Sequence, residues 1–171
     1  QRTIDHAKWG FPFGFKKGIV INARSETIMN KPMFKNSFFT ARCIIPANFY
    51  YEWKEEDKGK KVKYGIGLKD RNLISLGGIF KLSIDESQSI QKLTFVIITT
   101  EAVEGIKNIH SRMPLIIQDR DIEPWLDRNA DIKYIQRILK SRVNGEFNIE
   151  KVENKDSKST DGEDYQQLRM F

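Results

Sequence analysis

Between residues 42 and 99 the chain carries five short runs of β-branched and aromatic residues, most of them flanked by a proline, glycine or charged turn. The runs are Arg42 to Pro46, Asn48 to Trp53, Val62 to Leu68, Leu73 to Phe80 and Leu93 to Thr99. They recur every roughly 10–20 residues, which predicts antiparallel meanders and not strand–helix–strand crossovers. The segment K-E-E-D-K-G-K-K over 54–61 suits the tip of a hairpin, and Gly77-Gly78 reads as a strand bulge. Ser83 to Ser89 reads as a polar loop. Upstream, W-G-F-P-F-G-F over 9–15 predicts an irregular ring-rich loop, G-I-V-I over 18–21 a short strand, and Asn30 to Pro32 a helix start. Downstream, Thr100 is placed to cap a short helix, with Glu101 and Glu104 in its first turn. Pro114 to Ile117 forms another apolar run. A longer helix is predicted from Asp119 to about Arg142, with Ile132, Ile135, Ile138 and Leu139 on one face. A short strand is expected around 147–152. The reading is one mainly-β α+β domain over 1–154 and a polar tail over 155–171.

Composition narrows the function classes. With 39% hydrophobic and 11% aromatic residues in 171, the chain can bury a core and is not disordered throughout. No stretch approaches about 18 consecutive apolar residues, so no membrane-spanning helix is expected. One cysteine, Cys43, permits no internal disulfide and no multi-cysteine metal site. The two histidines, His6 and His110, have no partners at metal-ligand spacing, so neither metal nor cofactor is expected. The net charge of +6 is uneven: residues 1–150 hold 25 positive and 18 negative side chains, whereas 151–171 hold four and five. A basic body favours polyanions such as nucleic acid. Residue 1 is Gln1, so a natural start upstream is expected.

Three clusters place polar residues where apolar runs would continue. In Asn22-Ala23-Arg24-Ser25-Glu26-Thr27, alternation puts Asn22 and Arg24 on one strand face, where an amide and a guanidinium can orient a carbonyl and hold a phosphate. The plainer reading is a strand-end turn with a surface ion pair. In Tyr50-Tyr51-Glu52-Trp53, a carboxylate among rings would have its charged form disfavoured, suiting proton transfer near neutral pH. Alternatively Glu52 sits with Tyr50 on a wet face, and Trp53 opposes them. In His110-Ser111-Arg112-Met113-Pro114, the histidine follows a short helix and is either a cap or an acid–base group. Cys43, inside an apolar run, reads as a core residue.

Taken in order, these segments resemble the SRAP family of SOS-response-associated peptidases, which crosslink to abasic sites in DNA. The resemblance rests on Trp9-Gly10, Asn22 to Thr27, Phe38 through Arg42-Cys43-Ile44-Ile45-Pro46, Tyr51-Glu52-Trp53, Gly77-Gly78-Ile79-Phe80, Phe95 to Thr100 and His110 to Pro114. It implies several coiled antiparallel sheets, partly barrel-like, with a few peripheral helices. It implies that an N-terminal cysteine, exposed by removal of the initiator methionine, closes a thiazolidine on the aldehyde of an abasic site in single-stranded DNA. That cysteine is absent from this chain, so the chain by itself is expected to be inactive. The family pattern assigns Asn22 to orient the cysteine, Glu52 to move protons and His110 to assist ring opening. It assigns Arg24 and Arg112 to phosphates and Trp9 and Trp53 to the pocket or the DNA. Met33 is a candidate wedge against bases, or a core residue. Two departures stand out: W-G-F-P-F replaces W-G-L-I-P, and Phe49 stands where a glycine usually precedes the aromatic pair. The implied protein is a cytoplasmic, nucleoid-associated monomer whose partner is single-stranded DNA with abasic sites, without membrane or metal. Two other readings remain: a thiol peptidase using Cys43, His110 and Glu52, and a non-catalytic nucleic-acid-binding barrel.

Overall fold

A computed structural model of the chain describes residues 2–13, 18–56, 59–85, 90–141, 143 and 145–152. The tail over 155–171 lies outside the described residues, as do residues 14–17 of the aromatic segment and 86–89 of the predicted polar loop.

Eleven strands and four helices are formed among the described residues. In chain order they are β1 (Lys8–Trp9), β2 (Phe11–Pro12), β3 (Ile19–Val20), β4 (Asn22–Arg24), α1 (Pro32–Thr40), β5 (Arg42–Ala47), β6 (Tyr50–Glu55) and β7 (Lys61–Leu68). There follow β8 (Ile74–Asp85), β9 (Ile90–Glu101), α2 (Glu104–Lys107), β10 (Arg112–Pro114), α3 (Asp119–Leu126), α4 (Ile132–Lys140) and β11 (Phe147–Lys151). The fold is mainly β, with a curled half-barrel sheet and few helices.

Strand β9 is the spine of a six-stranded sheet. Its partners are β8 and β10, both antiparallel, and β1 and β4, both parallel; β5 extends the sheet beyond β8. Alternation along β9 sends Val96 and Ile98 to one face and Ile97 to the other. The first face is covered by α1, α3 and α4 through Phe34, Phe38, Trp125, Ile135 and Ile138. The second is covered by the inner face of a three-stranded sheet, β11-β7-β6, through Tyr50 and Ile66, with Ile106 of α2. Two cores therefore flank one sheet. Gly10, at φ 111°, turns the chain so that Trp9 stacks on Phe95 while Phe11 enters the helix-side core. The predicted loop over 9–15 thus contains two short strands.

Gly77-Gly78 marks a fork, not a bulge. The register with β5 runs through both glycines without interruption. Beyond Gly78 and Ile97, however, β8 and β9 part, and residues 112–117 run between them. Leu115 N–H donates to Ile98 O, while Gly77 N–H donates back to Leu115 O. A side chain at Gly77 would press on Ile117 and Leu115, within about 3.1 Å.

Three further expectations change. The polar stretch after Phe80 continues β8 as an exposed ribbon, with Ser83 opposite Lys92. Val103, not Thr100, precedes the short helix, and Thr100 and Glu101 belong to β9. The long helix from Asp119 is two helices. Pro124 lies inside α3, Asp127 Oδ1 accepts from Asn129 N–H, and Asp131 Oδ1 caps α4 by accepting from Lys133 N–H.

Arg42 ties the helices to the sheet. Its buried guanidinium donates to the carbonyls of Phe38, Trp125 and Asp127, the free ends of α1 and α3. Trp125 Nε1–H returns a bond to Cys43 O, 2.9 Å away. Arg42→Met keeps the apolar stem but strands those carbonyls, so it is expected to lose about 3 kcal/mol of stability in urea unfolding. A loss below about 0.5 kcal/mol would show the carbonyls to be satisfied without it.

Candidate active site

The parallel pairing of β4 to β9 fixes the first cluster. Asn22 lies beside Ile97 and Arg24 beside Thr99, so both share the face that looks toward the three-stranded sheet. Ala23, between them, is buried in the helix-side core. On β6 the same alternation turns Tyr50 and Glu52 inward and Tyr51 and Trp53 outward. The wet-face reading of Glu52 is therefore wrong: only 1% of the residue is exposed. Asn22 and Glu52 thus project from facing sheets onto one core. Ile106 and Ile109 of the α2 region pack in that same core and bring His110 to its border.

Burial governs the electrostatics. It raises the Glu52 carboxyl to about 8, and a hydrogen bond from the Trp53 N–H only partly opposes this. The Tyr50 phenol is pushed well above its ordinary value by burial and then by the Glu52 charge. Glu52 Oε2, Asn22 Oδ1 and Tyr50 Oη are buried and have no hydrogen-bond partner among the described residues. Each such atom costs about 1–3 kcal/mol, so a site with three of them is not arranged for stability.

His110 is held by its own turn. Nδ1 lies 3.0 Å from the Arg112 N–H and 3.1 Å from the Arg112 carbonyl. The neutral ring accepts from the first and carries its proton on Nε2; the charged ring donates to the second. Either state keeps an anchor, which suits a group that exchanges a proton.

Arg112 is engaged. Its guanidinium donates to both carboxylate oxygens of Glu26 at 3.1 and 3.0 Å, and to Thr99 O and Oγ1. Burial raises Glu26, but hydrogen bonds from Arg112, its own backbone N–H and Ser25, together with the Arg112 charge, outweigh this and leave it below its ordinary value. Arg24, in contrast, is exposed and makes no side-chain bond to another described residue. Trp9 Nε1–H donates to Ile21 O at 2.8 Å, so that donor is taken. Trp53 faces outward with Lys63 Nζ 5.7 Å from its ring. Met33 packs against the helix-side core, across the sheet from Glu52. Asn22 and Arg24 therefore stand on the face of the six-stranded sheet toward the second sheet, Glu52 on the inner face of that second sheet, and His110 at the border of the same core; Trp9 and Arg112 are bonded within the fold, Trp53 lies on the outer face and Met33 in the helix-side core. Alternation pairs Tyr50 with Glu52 as expected, but in the core and not on a wet face, and the roles of Glu26 and Thr99 in holding Arg112 were missed.

Cys43 is half-buried on β5, and burial drives its thiol up to about 12. Such a group is almost wholly protonated at neutral pH, which weighs against a thiol peptidase. Among the described residues no group of three metal-ligating side chains forms. Among the described residues no helix is long and apolar enough to cross a membrane.

These residues build a mainly-β domain with a proton-bearing carboxyl buried between two sheets. Its sequence matches the family described as SOS response associated peptidase (SRAP) over residues 1–158, and the chain belongs to that family. It is 40% identical over 122 residues to abasic site processing protein YoqW of Bacillus subtilis, covering 70% of this chain and 54% of that protein. It is 30% identical over 139 residues to abasic site processing protein YedK of Escherichia coli, covering 81% and 61%. The chain thus spans about half the length of YoqW and somewhat more of YedK. A crystal structure of a protein from Bacteroides thetaiotaomicron superposes with a TM-score of 0.73 at 32% identity, over 78% of this chain and 58% of that one. A Bordetella bronchiseptica protein, 22% identical, shares the fold with a TM-score of 0.72 over 86% and 76%.

The buried carboxyl makes stability depend on pH with a definite sign. Glu52 is protonated in the folded chain up to about 8 but ionised above about 4.5 when unfolded. Its contribution is full below about 4.5 and is lost as pH rises through about 8. Relative to the wild type, Glu52→Gln should therefore gain a few kcal/mol in urea unfolding between pH 5 and pH 9. Parallel pH profiles for the two proteins would show Glu52 to ionise normally. Iodoacetamide should label folded Cys43 far more slowly than the unfolded chain at pH 8, and equal rates would reopen the thiol-peptidase reading.

Proposed function

We propose that the complete protein binds single-stranded DNA at abasic sites and joins to it through an N-terminal cysteine supplied from outside these residues. The observation that supports it most is the buried, proton-bearing Glu52 with an unpartnered oxygen, facing the same core as the unpartnered Asn22. The α-amine of the cysteine adds to the sugar aldehyde, and the resulting carbinolamine loses water to give an imine. The thiol sulfur then adds to the imine carbon, its proton passes to the nitrogen, and the thiazolidine closes.

Water leaves only if the carbinolamine hydroxyl is protonated, so a proton donor is needed near neutral pH. Glu52, with its proton held to about 8, is that donor and afterwards the base that relays the thiol proton. His110, anchored in both protonation states, assists opening of the sugar ring. Asn22 Oδ1 accepts from the cysteine amine and orients it. Arg24 takes a backbone phosphate. Trp53 borders the DNA, Trp9 packs the pocket wall, and Arg112 holds the His110 turn against β9. Met33 serves the core.

The self-processing peptidase step uses the same Glu52. The abasic-site names of the relatives and the basic charge of residues 1–150 support DNA as the partner. The third reading, a barrel that binds nucleic acid without chemistry, gives no reason for unpaired polar atoms in a core. The test is a heat-stable adduct between abasic single-stranded DNA and the longer protein with a free N-terminal cysteine. Glu52→Gln should slow its formation by about 10²-fold. This chain alone should form no adduct yet bind the DNA in a salt-sensitive way. An unchanged rate in Glu52→Gln contradicts the assignment.

A further inference from the structure

On the outward face of the β11-β7-β6 sheet only Trp53 is assigned to the DNA, yet the face carries further rings and cations. Tyr51 and Trp53 point outward from β6, in line with Phe49 just before the strand. Phe49 and Tyr51 meet edge to face, 5.1 Å between centroids at 67°, and Phe49 stays 50% exposed. Lys63, on the neighbouring strand, places Nζ 3.7 Å from the Tyr51 ring and 5.7 Å from the Trp53 ring. Along the adjacent positions of β7 the outward residues are Gly65 and Gly67, so no β7 side chain rises there and the Tyr51 ring lies against Gly65. Phe49, Tyr51, Gly65 and Gly67 line a groove of about 710 Å³, with Trp53 and Lys63 outside it.

Its rim is basic. Lys69, Arg71 and Lys151 line it against a single acid, Glu150. Lys69 and Arg71 are paired with Glu146 and Asp119, but these pairs are exposed and easily exchanged for phosphate. Glu150 already accepts from Asn148. An exposed Phe49 ring beside the half-buried Tyr51 and Trp53 rings, with cations near them and glycines on the next strand, offers a surface on which bases can stack while phosphates find positive charge. Trp53, next to Glu52 in the chain, stands on the outer side of the strand whose inner side carries Glu52.

We propose that this outer face is a second subsite for single-stranded nucleic acid. Bases flanking the lesion stack on Phe49 and Tyr51, and Lys63 leaves the Tyr51 ring to meet a phosphate. The inference rests on the reading that the chain binds single-stranded DNA, and it extends the path of that strand.

Fluorescence anisotropy of this chain with labelled oligodeoxythymidines of about 5 and about 15 nucleotides separates the two claims. The double variant Phe49→Ser, Tyr51→Ser should weaken binding of the longer strand about tenfold and that of the shorter less than twofold. Lys63→Gln should reduce the salt dependence for the longer strand only. Photocrosslinking of the unaltered chain to an iodouridine-substituted longer strand gives a check independent of folding, with adducts expected at Phe49 or Tyr51. If the wild type binds neither strand, the proposed function fails and takes this inference with it. If it binds both and the variants bind equally, or crosslinks fall only elsewhere, the outer subsite alone is overturned.

Discussion

Everything in the site depends on β9 being hydrogen-bonded on both flanks. A strand in that position cannot rotate or slip, so its alternation becomes a fixed division of space. Val96 and Ile98 commit one face to the helices, and Ile97 commits the other to the second sheet. Asn22 and Arg24 inherit their direction from parallel pairing to Ile97 and Thr99. Arg112 inherits its own from pairing to Glu101. The polar groups are thus aimed by backbone ladders, and the glycine fork at Gly77-Gly78 lets the 112–117 segment reach the ladder from which His110 hangs.

The same division explains why a carboxyl is tolerated in a core. Glu52 occupies an inward position of β6 that an apolar residue would fill at no electrostatic cost. Desolvation instead leaves it protonated and one oxygen unpartnered. Groups that weaken a fold while converging on one face are characteristic of sites kept for chemistry. The supporting contacts run the other way. The Arg112–Glu26 fork, the Trp9 bond to Ile21 O and the two-state anchor of His110 are all satisfied, and together they hold the unsatisfied groups in place.

Local patterns were the readable part of the fold. The runs from Arg42 to Phe80 became β5 to β8 because β-branched residues and flanking turns agree there. The polar tip after Phe80 misled, since an exposed two-stranded ribbon accepts Ser83 and Lys92 as readily as a loop does. The split between α3 and α4 was written in D-R-N-A-D at 127–131, whose aspartates cap locally, but the isoleucine period beyond it was the stronger signal. Parallel pairing of β1 and β4 had no local signature at all. For the site, composition could not decide whether Glu52 faced water, because both faces of β6 carry rings. Nor could it show that Arg112 is bound to Glu26, 86 positions away.

The central claim is that Glu52 carries its proton at neutral pH in the core that Asn22 faces from the opposite sheet. A carbon-13 NMR titration of glutamate-labelled chain, with Glu52 assigned through Glu52→Gln, reads this directly. A carboxyl midpoint near 8 is the expected result. A midpoint near 4.5 would mean that the carboxyl is ionised throughout the working range, and the proton-donor role would be lost.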